Sequence, residues 1–188
     1  SAQVYVNTEL QNKDQRSETV TVETALTDTD GKVIRRASGK LSLKPGEKKT
    51  IRQQIEIKNP KLWSPDSPYL YRVQSRVKKG NQSIDGGITR IGIRQAEFRG
   101  KDGFWLNGKP FGQLVGANRH QDFAYVGNAL PNSQQWRDAK RLRDAGCTII
   151  RVAHYPQDPA FMDACDELGM FVIVATPGWQ YWNKDVKF

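Results

Sequence analysis

The chain has 188 residues, 37% of them hydrophobic and 26% charged, which is ordinary globular composition and excludes a disordered or fibrous protein. That length suits one large domain or two small ones. No run of about 18 apolar residues is present, which excludes a membrane-spanning helix, and Ser1-Ala2-Gln3-Val4 lacks the basic and apolar regions of a signal peptide.

The first half is expected to be β throughout. Val4, Val6, Thr8 and Leu10 recur at every second position, as in a half-buried strand, and Val20, Val22 and Ala25-Leu26 continue the pattern through Glu18–Thr27. Asp28-Thr29-Asp30-Gly31 and Lys44-Pro45-Gly46-Glu47 read as turns. Val33-Ile34, Ala37 and Leu41–Leu43 lie between them. Ile51, Ile55 and Ile57, then Tyr69–Val77, then Ile84–Ile93 mark further strands. Six or seven short strands at this spacing predict an immunoglobulin-like β-sandwich over residues 1–96, without the Cys…Trp…Cys pattern of antibody domains.

The formal net charge is +9, and the basic excess lies here: 18 Lys/Arg against 10 Asp/Glu up to Ala96, and 11 against 10 after it. The charges alternate with apolar residues, as in Arg72-Val73-Gln74-Ser75-Arg76-Val77-Lys78. This reads as the wet face of a sheet rather than a nucleic-acid surface, so neither nucleic acid nor membrane is an expected partner.

After Ala96 the pattern changes. Phe104-Trp105-Leu106-Asn107-Gly108-Lys109-Pro110-Phe111 predicts a tight hairpin with Asn-Gly at its tip. Gln113–Ala117 is a short apolar strand. A helix follows, capped by Asn132 or Ser133, with Trp136, Ala139 and Leu142 as its apolar stripe and Gly146 at its end. Thr148–Ala153 is a near-continuous apolar strand, as expected of a strand covered on both faces. Asp158-Pro159 opens a second helix, striped by Phe161, Met162, Cys165 and Leu168 and closed by Gly169. Met170–Ala175 is a third strand. The order strand–helix–strand–helix–strand predicts parallel strands with right-handed crossovers. Cys147 and Cys165 have neither a disulfide-framework nor a metal-type spacing and are expected to be free buried thiols.

In parallel α/β folds functional groups gather at the carboxyl ends of the strands. Asn118-Arg119-His120-Gln121-Asp122 follows the first strand, and His154-Tyr155-Pro156 the second, with Arg151 inside it. Thr176-Pro177-Gly178-Trp179-Gln180-Tyr181-Trp182-Asn183 follows the third. Both histidines of the chain fall at these ends. Flat aromatic faces such as Trp179, Tyr181 and Trp182 suit the C–H-rich face of a pyranose, while Asn, Asp, Arg and His suit its hydroxyls.

Six segments resemble family 2 glycoside hydrolases. Leu62–Tyr71 is similar to the LWSP-x-x-P-x-LY signature. Ile91-Gly92-Ile93-Arg94 is similar to an FGIR-type segment, and Phe104–Pro110 to the F-x-L-N-G-K-P hairpin. Gly116–Asp122 resembles the G-x-N-[RK]-H-x-D strand motif. Ile150–Pro156 resembles [VF]-R-x-S-H-Y-P, with Ala153 in place of serine. Asp163–Gly169 matches x-x-C-D-x-x-G. The resemblance implies a sandwich followed by the first three strands and two helices of a (β/α)₈ barrel over residues 97–188. It also implies a retaining β-galactosidase-, β-glucuronidase- or β-mannosidase-like parent, most readily a β-galactosidase. His120 and His154 would line the pocket for a terminal β-linked sugar, Arg151 would order the catalytic carboxylates, and Asp122 would bond sugar hydroxyls. Asn118, Arg119, Trp179 and Trp182 complete the expected carbohydrate-binding set.

Retaining hydrolysis needs two carboxylates about 5–5.5 Å apart. The resemblance puts both on later strands, and beyond Glu97 the chain holds only Glu167, in the second helix. A complete barrel needs about 200 residues or more. The chain is therefore expected to be an internal fragment, inactive by itself and self-associating through the open barrel edge. No catalytic residue, metal or other cofactor is expected in it. Val174-Ala175 stands where many relatives carry Asp-Glu, which argues against the divalent cation some of them bind. The absent leader leaves location open, a periplasmic or secreted parent included. A second reading is a non-catalytic β-sandwich module that binds carbohydrate or protein.

Overall fold

The computed structural model describes residues 1–176, and its contacts divide the chain into two compact units. Residues 1–61 and 69–93 form the first. Residues 62–68, together with 94 onward, form the second.

The first unit is a β-sandwich of six strands. β1 (Ala2–Gln11) pairs antiparallel with β4 (Lys48–Ile57) in a two-stranded sheet. β3 (Val33–Leu43), β2 (Glu18–Thr27), β5 (Leu70–Lys79) and β6 (Gln82–Gly92) form a four-stranded antiparallel sheet in that order. The period-2 pattern is realised directly. Val20, Val22, Leu26, Ile55, Ile57, Tyr71, Val73 and Val77 are buried, while residues of the opposite phase such as Thr21, Glu23, Glu56, Arg72 and Gln74 are more exposed. Leu26, Ile55, Ile57, Tyr71 and Val73 make one core cluster between the sheets. A buried polar pair also bridges them. Thr24 Oγ1 donates to Gln53 Oε1 at 2.6 Å, and Gln53 Nε2 donates to the Val22 carbonyl at 3.1 Å, so neither side chain is left unsatisfied in the core.

The second unit starts with a small antiparallel sheet of β7 (Ala96–Phe98), β8 (Phe104–Leu106) and β9 (Lys109–Pro110). Its tip is the expected Asn-Gly turn, with φ of 53° at Asn107 and 78° at Gly108, the positive values a two-residue hairpin turn requires. β10 (Gly116–Arg119), β11 (Ile149–Val152) and β12 (Phe171–Val174) form a parallel sheet. α1 (Asn132–Asp144) and α2 (Pro159–Leu168) are its crossover helices. This is the strand–helix order with which a (β/α)₈ barrel opens. Ile150, Val152, Ala139, Phe161, Ala164, Cys165 and Met170 form the core between helices and sheet.

Two helical details differ from expectation. Asn132 is the first residue of α1 rather than its cap. Pro131 holds the cap position, and its carbonyl accepts from Gln134 N and Gln135 N. Trp136 is 41% exposed, with its Nε1 on Glu167 Oε2 at 3.3 Å, so the stripe narrows to Ala139 and Leu142. α2 follows its sequence closely. Asp158 caps it by accepting from Ala160 N at 2.8 Å, Pro159 opens it, and Gly169 closes it in the left-handed conformation.

Segment 62–68 belongs to the second unit although strands of the first flank it in sequence. Trp63, 1% exposed, donates from Nε1 to the Asp166 carbonyl at 2.9 Å and meets Phe171 edge-on at 5.3 Å. The Arg94 guanidinium lies over both rings, 4.6 Å from Trp63 and 5.2 Å from Phe171. Asn107 Nδ2 donates to the Trp63 carbonyl, and Arg143 Nη2 to the Pro65 carbonyl. Four of the six signature segments thus converge on Trp63. They meet at the amino-terminal end of β12, opposite the end where the histidines emerge. Among the described residues no helix is long and apolar enough to cross a membrane.

Candidate functional site

The strand register builds the site. Asn118 on β10 is the parallel partner of Arg151 on β11, and Ile173 on β12 lies beside Arg151. All three project to the face away from the core between helices and sheet. Gly116 lets β10 approach β11 closely, since a Cβ there would overlap the Ile149 carbonyl. One residue past β10 stands His120, and two past β11 stands His154. Their rings meet edge to face with centroids 5.1 Å apart, and Tyr155 lies 6.3 Å from His120. The Ala153–His154 peptide is cis.

The electrostatics favour a neutral His154. Burial pushes its pKa below the ordinary imidazole value, and the Arg151 guanidinium and His120 add to the effect. A neutral imidazole donates from one nitrogen and accepts at the other, which matches a hydroxyl that does both.

Asp122 is exposed on the loop after β10. With the Asn128 amide nitrogen facing it, that nitrogen donates to Asp122 Oδ1 and to the Gln121 carbonyl. Gln121 joins the two strand-end loops. Its N–H donates to Tyr155 Oη at 3.1 Å, and its Oε1 accepts from Asp158 N at 2.8 Å.

Arg119 departs from the sugar-contacting position expected of it. It is 6% exposed and points into the helix layer, because alternation along β10 sends it to the face opposite Asn118. Its guanidinium lies 4.0 Å from the Phe161 ring centre and donates to Gln157 Oε1, to Gln135 Oε1 at 2.8 Å and to Asp138 Oδ2 at 2.8 Å. Gln157 Nε2 returns a bond to the Arg119 carbonyl at 3.0 Å. Sequence reading missed Gln121, Gln135, Asp138, Tyr155 and Gln157. Gln135 and Asp138 on α1 and Gln157 in the loop before α2 are residue types that normally read as solvated surface, and only the position of Arg119 makes these three partners. Trp179 and Trp182 lie outside the described residues.

The two glutamates of the second unit stand on β7 and in α2 rather than at the carboxyl ends of β10 and β11. Glu97 on β7 is bound by Arg99 at 2.9 Å, which holds its carboxyl below the usual carboxylate range. Glu167 sits near the end of α2, which leads into the start of β12. Among the described residues no group of three His, Cys, Asp or Glu side chains is placed to hold a metal ion.

Residues 1–94 match the model of glycosyl hydrolases family 2, and residues 98–183 that of the family 2 TIM barrel domain. The chain belongs to glycosyl hydrolase family 2. This family 2 chain is 45% identical over 134 residues to a β-galactosidase of Thermoanaerobacter pseudethanolicus, covering 71% of the chain and 18% of that relative. It is 36% identical to a β-glucuronidase of Bacteroides fragilis, covering 84% of the chain and 23% of the relative. A crystal structure of Bacteroides uniformis β-glucuronidase superposes with a TM-score of 0.86 at 30% identity, over 94% of this chain and 22% of that one. A family 2 member from Bacteroides cellulosilyticus gives 0.86 at 34% identity, over 92% and 24%. The family 2 chain therefore spans about a fifth of the length of the relatives it matches.

Proposed function

We propose that this chain is part of a retaining β-glycosidase that releases terminal β-linked sugars, and that it supplies the sugar-binding side of the site without the two catalytic carboxylates. The observation that carries the reading is the His120–His154 pair, 5.1 Å apart at the carboxyl ends of neighbouring parallel strands, with Asn118 and Arg151 in register beside it. Such a rim offers imidazoles and an amide to ring hydroxyls and a fixed positive charge to nearby carboxylates. Those interactions strengthen as the sugar flattens towards an oxocarbenium-like transition state, so they lower the barrier rather than merely hold the substrate. The positions of Glu97 and Glu167 support assigning the carboxylate pair to strands outside this chain.

Within that reading we take galactose as the sugar. Support comes from relatives named β-galactosidase in Thermoanaerobacter pseudethanolicus and Thermoanaerobacterium thermosulfurigenes, at 45% and 42% identity. The test compares the 188-residue chain with the full product of its gene on chromogenic β-galactoside and β-glucuronide. The full product is expected to cleave the galactoside and the chain alone to give blank rates. Turnover by the chain alone, or none by the full product on any β-glycoside, overturns the proposal. Preference for the glucuronide overturns only the choice of sugar.

A further inference from the structure

The paired strands stop short of both rim histidines. The β10–β11 ladder ends at Arg119 and Val152, and His120 is exposed, so little packing fixes its ring. What joins the two histidines lies in the residues beside them. Before His120, the Arg119 carbonyl accepts from Ala153 N at 2.9 Å and from Gln157 Nε2 at 3.0 Å. After it, Gln121 makes three bonds of its own. Its N–H donates to Tyr155 Oη at 3.1 Å, its Oε1 accepts from Asp158 N at 2.8 Å, and its Nε2 donates to the Asn128 carbonyl at 3.3 Å. Tyr155 directly follows His154, and Asp158 caps α2. The stretch from Tyr155 to Asp158 is thus pinned at both ends to one residue of the β10 loop.

We propose that Gln121 and Tyr155 are positioning residues, a strap that sets the His120 imidazole against His154 for the sugar. The inference rests on the glycosidase reading above and assigns the side chains that give its histidine pair a fixed geometry. The Tyr155 hydroxyl takes the backbone N–H next to His120, so the phenol acts on the chain that carries that imidazole. The His120 ring lies between its two neighbours, with centroids 5.1 Å from His154 and 6.3 Å from Tyr155. An imidazole that bonds a hydroxyl in the transition state must be held to within about 0.5 Å. A misplacement of about 1 Å can cost about 10²-fold in rate.

Three substitutions separate these bonds from packing. Tyr155→Phe keeps the ring and leaves the Gln121 N–H without its acceptor. Gln121→Met fills the same space and offers Asp158 N nothing. Gln121→Glu keeps an acceptor for Asp158 N, and its charge falls at the start of α2, where a negative charge is favoured. The chain has only two histidines, so in the 188-residue chain the imidazole proton signals belong to this pair alone. A nuclear Overhauser cross-peak between the two rings is expected in the parent chain and in Gln121→Glu. It should weaken at least threefold in Tyr155→Phe and Gln121→Met, with the helical circular dichroism unchanged. In the full product of the gene, the same two variants should lose about tenfold in kcat with little change in KM, and Gln121→Glu should restore most of the rate. An unchanged cross-peak in both variants, loss of the fold in both, unchanged kcat, or equal damage from Gln121→Glu and Gln121→Met overturns the proposal. A full product inactive on every β-glycoside sinks the glycosidase reading instead, and the cross-peak still decides whether the strap holds the pair.

Discussion

Gly169 tests whether segment 62–68 is truly seated on the end of α2. Gly169 and Gly146 follow the two helices, and both have positive φ, 76° and 89°. An alanine in that region costs about 1–2 kcal/mol through its Cβ. Beyond this shared cost the two sites differ. A Cβ at Gly146 meets nothing within 4 Å. At Gly169 it would overlap the Pro65 carbonyl oxygen and come within 2.7 Å of Pro65 Cα and 2.8 Å of its carbonyl carbon. These are backbone atoms, so no rotamer change relieves the overlap. Trp63 and Arg143 hold the segment in place through their bonds to the Asp166 and Pro65 carbonyls. Forcing an extra carbon into such a contact costs about 1–3 kcal/mol. Gly146→Ala should therefore destabilise by about 1–2 kcal/mol and Gly169→Ala by about 2–5 kcal/mol. Urea unfolding followed at the helical band of the circular dichroism spectrum measures both, because among the described residues the α-helices all lie in the second unit. Equal losses for the two variants would refute the seating of Pro65 against Gly169.

Other consequences concern the rim and its support. Arg119→Met removes the guanidinium from Asp138, Gln135 and Gln157, while Asp138 keeps its bond from Gln134 Nε2. It should cost about 2–3 kcal/mol, below the loss for a fully buried pair because Asp138 keeps some water. Replacing Asp138 by leucine in the same chain should recover part of that loss, and a further loss instead would contradict the pairing. His154 should titrate below the ordinary histidine value in an NMR pH series, and His120→Ala should move it back up by removing a like charge. The unfolded chain then binds more protons in the window between the folded value and about 6.5. His154 should thus cost stability as pH falls through that window and not above it. Burial first, then the neighbouring Asp166 charge, raises the Cys165 thiol to about 12, whereas Cys147 is only half-buried. A thiol reagent at pH 8 should label Cys147 in the native chain and reach Cys165 only after unfolding. Rapid native labelling of Cys165 would speak against its burial.

Several features of the protein are determined by residues close together in the chain. The alternation Val4, Val6, Thr8, Leu10 is sufficient for a strand, Asp158-Pro159 and Gly169 for the ends of α2, and Asn107-Gly108 for a hairpin turn. In each case the physical cause acts over a few bonds: side-chain period, cap hydrogen bonds, or freedom at positive φ. The order of elements then implies parallel strands, and so brings His120 and His154 to one end.

Tertiary structure alone decided the rest, because it depends on partners far along the chain. Arg119 and His120 are neighbours in one motif. The alternation of β10 sends Arg119 into the helix layer, where Gln135, Asp138 and Gln157 receive it, and leaves His120 at the rim. Trp63 follows four strands of the sandwich, yet its indole bonds a carbonyl 103 residues away, and its segment joins the second unit. Strand count was legible from period-2 patterning. Their division into two and four follows from pairing between distant strands, and no local pattern encodes that.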